Sequence, residues 1–316
     1  MFLTILDIGR SFPEKTFIFI YKYFDSQRID YDLPSLPLLY VFGPDVDSVD
    51  RSSCVTFSQW QSSKLKNMIY RVRPRLITFD VTGTLLMTKL DQYVEIGSEH
   101  GLLVEPRHLV RSFKANFAQL SQEHPIYGKH TGLGWKDWWK LIVHNVLKEQ
   151  NTSVSKETLD KVADNLISCY STSKCWFKYP GTIDLLDFLQ KQGIILGVIS
   201  NFDERLESIL KDVQIHQYFS FVLTSYDFGT EKPSLPIFEE ALRLVKSFEK
   251  KTILPEEAVH IGDSVDNDYF GAKNAGWNAL LMKHDNEIDE SKIPGEDVFK
   301  NLKELERHFN QVLKPT

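Results

Sequence analysis

The chain has 316 residues, 42% of them apolar and 25% charged, with a formal net charge of -6 and a pI near 5.9. That length suits one large or two ordinary domains. The composition excludes a disordered chain, and the acidic balance excludes nucleic acid as the main partner.

Three cysteines (Cys54, Cys169 and Cys175) are too few and too irregularly spaced for a disulfide framework or a zinc cluster, and are read as reduced structural thiols. No apolar run approaches the roughly 18 residues of a membrane span. The opening residues lack the basic and apolar regions of a secretory signal. No membrane partner is therefore expected, and the cytoplasm is the expected compartment.

Residues 1–70 form an N-terminal extension that differs from the rest. An aromatic patch runs from Phe17 to Phe24, a Pro-punctuated apolar stretch from Leu33 to Val41, and a Ser-rich segment from Asp45 to Ser63. No helix or strand period persists in it, so the extension is expected to be poorly ordered and outside the chemistry. A compact domain is expected to begin near Met68, with the core proper from residue 71.

The stretch from Leu76 to Leu86 organises the rest of the chain. Leu76-Ile77-Thr78-Phe79 is an apolar run with β-branched and aromatic residues, and it ends at Asp80 before the turn Val81-Thr82-Gly83-Thr84. It reads as a buried strand that delivers Asp80 to its carboxyl end, where open α/β sheets place their ligands. Alone, Asp80 is either a strand-end turn residue or a nucleophile.

Residues 89–178 read as helical. Tyr93 and Ile96 share one face, as do Leu109, Phe113, Phe117 and Leu120; Trp135, Trp138, Trp139, Ile142 and Val146; and Leu159, Val162, Leu166 and Tyr170. Four amphipathic helices without a strand between them predict a small bundle with the aromatic stripe as its core. A Gly-rich loop from His124 to Gly134 interrupts it, with Lys129 and His130 as candidate substrate contacts.

From residue 179 strands and helices alternate. Predicted strands at Ile194–Ile199, Phe219–Thr224, Ala258–Gly262 and Ala279–Met282 are separated by helices at Ile183–Lys191, Glu204–Asp212, Ile237–Val245 and Tyr269–Asn274. No element is assigned beyond Met282. The alternation predicts an α/β fold, a doubly wound parallel sheet with a Rossmann-like core from 71–88 and 179–316, and the helical segment 89–178 inserted as a cap.

The strand ends then gather Asp80, Thr84, Ser200, Asn201, Lys232, Asp263 and Asp268 into one crevice. Three carboxylates there repel one another unless a cation sits among them, and an all-oxygen set favours Mg²⁺. Lys232, the Ser200–Asn201 hydroxyl–amide pair and Thr84 are the candidates to hold the remaining oxygens of a phosphate. An aspartate beside the metal is a competent nucleophile toward phosphorus. Asp266, between the two later acids, reads as a solvated turn residue or a helix cap.

Asp80-Val81-Thr82-Gly83-Thr84, Ser200, Lys232-Pro233 and Gly262-Asp263 through Asp268 resemble, in order and spacing, the four motifs of the haloacid dehalogenase-like hydrolases. The helical insert lies where that superfamily carries its C1 cap. Trp135-Lys136-Asp137-Trp138-Trp139 and the segment Ile199 to Leu206 resemble more closely the group of the rhythmically expressed gene 2 protein and haloacid dehalogenase-like hydrolase domain-containing protein 3. The likeness spans residues 71 to about 285.

The resemblance implies phosphate-monoester hydrolysis through an aspartyl-phosphate on Asp80. It implies Mg²⁺ held by Asp80, the Thr82 carbonyl and Asp263, with Asp268 positioning the metal or its waters. Phosphate would be bound by Ser200 and Lys232, and Lys232 would also neutralise Asp80.

The chain departs from that pattern in two places. The superfamily's phosphatases carry an acid/base aspartate two residues after the nucleophile, where this chain has Thr82. Loss of such a group typically costs about 10² to 10⁴ in rate. Ser234 and Leu235 follow Lys232-Pro233 where the group often has Asp-Pro.

Three readings result. The preferred one is a slow Mg²⁺-dependent phosphatase acting on a small phosphorylated metabolite. The second is a catalytically impaired member that binds a phosphorylated ligand or a protein partner. The third is a metal-free 2-haloacid dehalogenase, which would leave the acidic segment Asp263 to Asp268 without a purpose. Substrate identity and oligomeric state are not legible.

Overall fold

The computed structural model describes residues 73–284, 289 and 291–313, together with the backbones of Leu3–Leu6, Ile18–Tyr21 and Leu38–Val41. The chain divides into two compact units, Met1–Arg71 and Val72–Thr316. In the first, β1 (Leu3–Leu6), β2 (Ile18–Tyr21) and β3 (Leu38–Val41) form an antiparallel sheet in that order. β2 lies in the aromatic patch and β3 ends the Pro-punctuated run. Four-residue strands are too short to establish an alternation, so neither is legible in the sequence. The expected poor order of the rest of residues 1–70 lies outside the described residues.

The second unit is built on β4 (Leu76–Phe79), all four residues of which are buried. Both of its edges are paired, as expected for a continuous apolar run within a parallel sheet. After a tight turn, β5 (Leu86–Thr88) leads out of the core and β6 (Trp176–Lys178) leads back, and the two pair antiparallel where the chain crosses between layers.

Between those crossings stand four helices: α1 (Asp91–Glu99), α2 (Pro106–Glu123), α3 (Trp135–Gln150) and α4 (Lys156–Cys169). Two of their starts have a clear local cause. The Glu105 carboxylate accepts from the Arg107 and His108 backbone N–H groups with Pro106 at the first helical position. The Ser155 hydroxyl accepts from the Thr158 N–H. Both arrangements satisfy donors that a helix N-terminus otherwise leaves orphaned. The bundle closes over an apolar cluster that includes Leu109, Trp138, Ile142, Val146, Leu159 and Val162.

The remaining strands are β7 (Ile195–Ser200), β8 (Phe221–Thr224), β9 (Ala258–Gly262), β10 (Asn278–Met282) and β11 (Val298–Phe299). The six-stranded sheet has the order β11-β10-β9-β4-β7-β8 and is parallel throughout. β4 is central, so strand order reverses on either side of it, and ligand crevices form at such a point.

The helices α5 (Thr182–Lys191), α6 (Leu206–Asp212), α7 (Ser225–Phe228), α8 (Leu235–Lys246), α9 (Gly271–Asn274) and α10 (Leu302–Val312) complete the unit. Three findings differ from the sequence reading. The chain continues past Met282 through β11 and α10, whose Leu302, Leu305 and Phe309 are buried at helical spacing. The helix expected at Tyr269–Asn274 is preceded by a wide π-type turn over Val265–Phe270. α7 is a single turn in a segment where no helix is expected.

Among the described residues no helix is long and apolar enough to cross a membrane. Cys169 and Cys175 are free thiols, and Cys54 lies outside the described residues.

Candidate active site

Strand pairing decides which side chains meet. Asp80 follows β4 directly, and its N–H donates to the Ile261 carbonyl at 2.8 Å, locking it to β9. The chain then folds back through hydrogen bonds from the Leu85 and Leu86 N–H groups to the Val81 carbonyl. Gly83, at φ +79°, sits at the tip of this turn. A Cβ there would meet the Asp263 carboxylate at 2.2 Å, so only glycine allows the turn and Asp263 to approach this closely.

The centre of the site is Lys232, 2% exposed. Its ammonium donates to Asp80 Oδ1 at 2.8 Å, Asp268 Oδ1 at 2.6 Å and the Ile199 carbonyl at 2.7 Å, engaging all three donors. Burial works against its charge, but Asp268 and Asp80 outweigh burial and hold its pKa above the ordinary lysine range.

Asp268 is equally enclosed. Its Oδ1 also meets His260 Nε2 at 3.0 Å, and its Oδ2 accepts from the Ser264 N–H at 2.8 Å. Burial opposes its ionisation, yet Lys232 and these hydrogen bonds hold the carboxyl well below the usual range. The π-type turn after Ser264 is what swings Asp268 back over the sheet end. Gly262 makes room for it, because a Cβ there would lie 2.1 Å from Asp268 Cγ. Gly262→Ala is expected to displace Asp268 and to cost about 1–3 kcal/mol. Urea unfolding reads this as a lower midpoint, and an unchanged midpoint would contradict the packing described.

Asp80 and Asp263 show the opposite shift. Burial raises the Asp80 pKa, with Asp268 adding to it, against the pull of Lys232 and a hydrogen bond from Ser200. Asp263 is pushed up to about 8, by burial first and then by the charges of Asp80 and Asp268. One ammonium therefore faces three carboxyl groups, and with no further cation the cost of ionising all three falls on Asp80 and Asp263, whose protonated forms are favoured.

Such an oxygen set suits a hard divalent cation, which Asp80, Asp263 and the Thr82 carbonyl would hold. Among the described residues no group of three or more His, Cys, Asp or Glu side chains is placed to hold a metal ion by itself. Mg²⁺ does not need one, since it keeps several waters and uses one or two carboxylates.

The other expected residues divide. Ser200 is buried at the end of β7 and hydrogen-bonds Asp80. Asn201 corrects the expectation of a side-chain phosphate contact. Its Oδ1 accepts from the Lys232 N–H at 2.8 Å and its Nδ2 donates to the Lys232 carbonyl at 2.9 Å, so its amide fixes the lysine backbone. Thr84, expected as a phosphate contact, is instead fully buried with its hydroxyl unpartnered among the described residues, and it does not line the crevice. Thr82 is exposed on the crevice wall, and Asp266 is exposed outside it.

Lys129 and His130 do not face a substrate either. Lys129 donates to the Tyr226 and Asp227 carbonyls and His130 to that of Gly229, so both dock the cap loop on the core.

Two groups escape the sequence reading. His260 is fully buried on β9, with Nδ1 2.8 Å from the Thr78 hydroxyl of β4. Burial and the Lys232 charge lower its pKa to about 4, so it is neutral at pH 7. Its hydrogen bonds are satisfied when Nε2 donates to Asp268 and Nδ1 accepts from Thr78. In the sequence it is one histidine within an apolar strand, and only pairing with β4 and Asp268 reveals its place.

The second is the buried pair Asp203–Arg205. Arg205 Nε and a terminal nitrogen donate to the two carboxylate oxygens at 2.8 and 2.7 Å, and the Trp139 indole N–H of α3 donates to Asp203 Oδ2 at 2.8 Å. This ties the aromatic stripe of the bundle to the core. Between the two layers lies a cavity of about 870 Å³ whose lining includes Thr82, Lys232 and Asp263.

Comparison with known proteins matches residues 74–276 to a family model described as haloacid dehalogenase-like hydrolase. The chain is 36% identical over 235 residues to the rhythmically expressed gene 2 protein of Drosophila melanogaster, covering 72% of this chain and 89% of that one. It is 34% identical over 244 residues to haloacid dehalogenase-like hydrolase domain-containing protein 3 of Bos taurus, covering 75% and 94%.

Among solved structures, the HAD-hydrolase YfnB of Bacillus subtilis bound to magnesium aligns with TM-score 0.56 at 20% identity, over 76% of this chain and 100% of that one. A 2-haloacid dehalogenase from Pseudomonas syringae aligns with TM-score 0.52 at 22% identity, over 75% and 99%. At these identities the structural likeness is one of fold.

Proposed function

The chain belongs to the haloacid dehalogenase-like hydrolase family, and from that premise we propose that it is a slow Mg²⁺-dependent phosphatase acting through an aspartyl-phosphate on Asp80. The observation that carries this reading is the Lys232 ammonium shared by Asp80 and Asp268 beside a third carboxyl group, Asp263, which has no salt bridge among the described residues and whose ionisation burial and its acidic neighbours oppose. A metal-free dehalogenase gives no role to that third carboxyl group. The proposed substrate is a small phosphorylated metabolite, and the proposed compartment is the cytoplasm.

Lys232 on Oδ1 orients Asp80 and leaves Oδ2 as the attacking oxygen. Attack forms the Asp80–phosphorus bond while the bond to the leaving oxygen breaks. Lys232 and Ser200, already at the Asp80 carboxylate, accept the phosphoryl oxygens as charge shifts onto them. Bound Mg²⁺ would supply Lewis-acid stabilisation of the same oxygens.

The leaving oxygen takes its proton from water, because the neutral Thr82 hydroxyl is a poor acid. Water then cleaves the aspartyl-phosphate and returns Asp80, again without a strong base at position 82. Both proton transfers are handicapped, and the second, with no leaving-group compensation, limits turnover.

The test is hydrolysis of p-nitrophenyl phosphate by the full chain with added Mg²⁺ and with EDTA. Turnover that appears with Mg²⁺ and disappears with chelator is expected. No turnover at any Mg²⁺ concentration overturns the reading. It would favour instead the second one, a protein that binds a phosphorylated ligand or a partner without turnover, for which the exposed Thr82 on the crevice wall is the specific observation.

A further inference from the structure

The cavity above the Asp80–Lys232 floor has two unlike sides. On the core side it is lined by polar groups, among them Thr82, Asn201, Lys232 and Asp263. On the cap side its lining includes the aromatic side chains Tyr93, Phe113, Phe117, Tyr127, Trp138 and Trp139. Its volume of about 870 Å³ lies toward the upper end for small-molecule sites and far exceeds a phosphate group.

Four of those aromatics have a polar atom, and those of Trp138, Trp139 and Tyr127 are engaged elsewhere. Trp138 Nε1 donates to the His124 carbonyl at 3.0 Å, Trp139 Nε1 to Asp203 at 2.8 Å, and the Tyr127 hydroxyl to the Asn201 carbonyl at 2.8 Å. Arg205 lines the cavity too, but its charge is closed by Asp203 and its guanidinium lies 5.3 Å from the Trp139 ring centroid.

What the cap offers a ligand is therefore mostly ring surface, with the Tyr93 and Ser121 hydroxyls as the polar exceptions. The rings already meet edge to face, Phe117 with Trp138 at 5.3 Å and 84°, and Tyr127 with Trp138 at 5.1 Å and 67°. That packing suits another aromatic group. A sugar or polyol phosphate would leave most of its hydroxyls unpaired against this wall, each costing roughly tenfold in affinity.

We propose that the preferred substrates are phosphate monoesters of alcohols bearing an aromatic ring system, with the phosphate on the Asp80–Lys232 floor and the rings against the cap wall. This rests on the phosphatase reading above. It extends that reading to the leaving group, which this cap recognises by stacking and apolar burial.

The test compares kcat/KM of the full chain with Mg²⁺ for 2-naphthylmethyl phosphate and glycerol 3-phosphate. Both are esters of primary alcohols, so a difference reports recognition and not leaving-group chemistry. A preference of about 100-fold or more for the naphthylmethyl ester is expected from burial of the ring system. Phe117→Asn should reduce it about tenfold, and if that variant does not fold, the unaltered chain still decides.

Equal or better use of glycerol 3-phosphate overturns the inference while the phosphatase reading stands. If neither ester nor p-nitrophenyl phosphate is hydrolysed, the phosphatase reading has failed. Calorimetric binding then decides the cavity's preference. Tighter binding of 2-naphthylmethylphosphonate than of methylphosphonate supports it, and equal affinity overturns it.

Discussion

Thr82→Asp is expected to raise p-nitrophenyl phosphate turnover by about 10² to 10⁴, the usual contribution of a positioned acid/base. Thr82 is exposed and lines the cavity beside Lys232 and Asp263, so a carboxylate there reaches the reacting atoms without entering the core. Its backbone bridges to Leu86 whatever the side chain.

The gain should be larger for alkyl phosphates, whose poor leaving groups need a proton in the first step. With the unaltered chain, slow breakdown of the aspartyl-phosphate should show as a burst of p-nitrophenol stoichiometric with enzyme. Aspartate at position 82 should abolish that burst. A folded, Mg²⁺-binding variant with no gain would falsify the account of Thr82 as the handicap.

Asp80→Asn is expected to lower turnover by about 10⁴ or more, since an amide neither attacks phosphorus nor carries the intermediate. The fold should not suffer. Asp80 has a folded pKa above its unfolded value of 3.8, chiefly through burial. Above that pKa the ionised carboxylate opposes folding, and the opposition fades as pH falls toward the unfolded value.

Removing the charge should therefore leave metal-free stability at pH 7 unchanged or higher, with Lys232 still held by Asp268 and the Ile199 carbonyl. Urea unfolding without Mg²⁺ and the rate assay separate the two effects. A large fall in stability would mean that Asp80 is structural, and residual Mg²⁺-dependent turnover would mean another nucleophile.

Much of this protein is readable in its sequence because the elements are periodic. The apolar run Leu76–Phe79 before Asp80, the alternation of strands and helices from residue 179 and the three- and four-residue spacing of Leu109, Phe113, Phe117 and Leu120 and of Trp138, Ile142 and Val146 each report a local element and its buried face. Parallel strands open their carboxyl ends to one crevice, so Asp80, Ser200, Lys232, Asp263 and Asp268 could be expected together.

What each group does there was decided by tertiary structure. Lys232 reaches Asp80 across 152 residues and Asp268 across 36. Asn201 turns from a phosphate ligand into a clamp on the Lys232 backbone, and Lys129 and His130 turn from substrate contacts into cap-docking groups. His260 enters only because β9 lies beside β4.

The aromatic stripe was legible as a core, but not as the wall of a cavity. That depends on Trp139 reaching Asp203 across 64 residues of sequence. Hydrophobic period determines which face of an element is buried. The partner that each buried polar group finds depends on strand order and layer docking, and no local pattern records either.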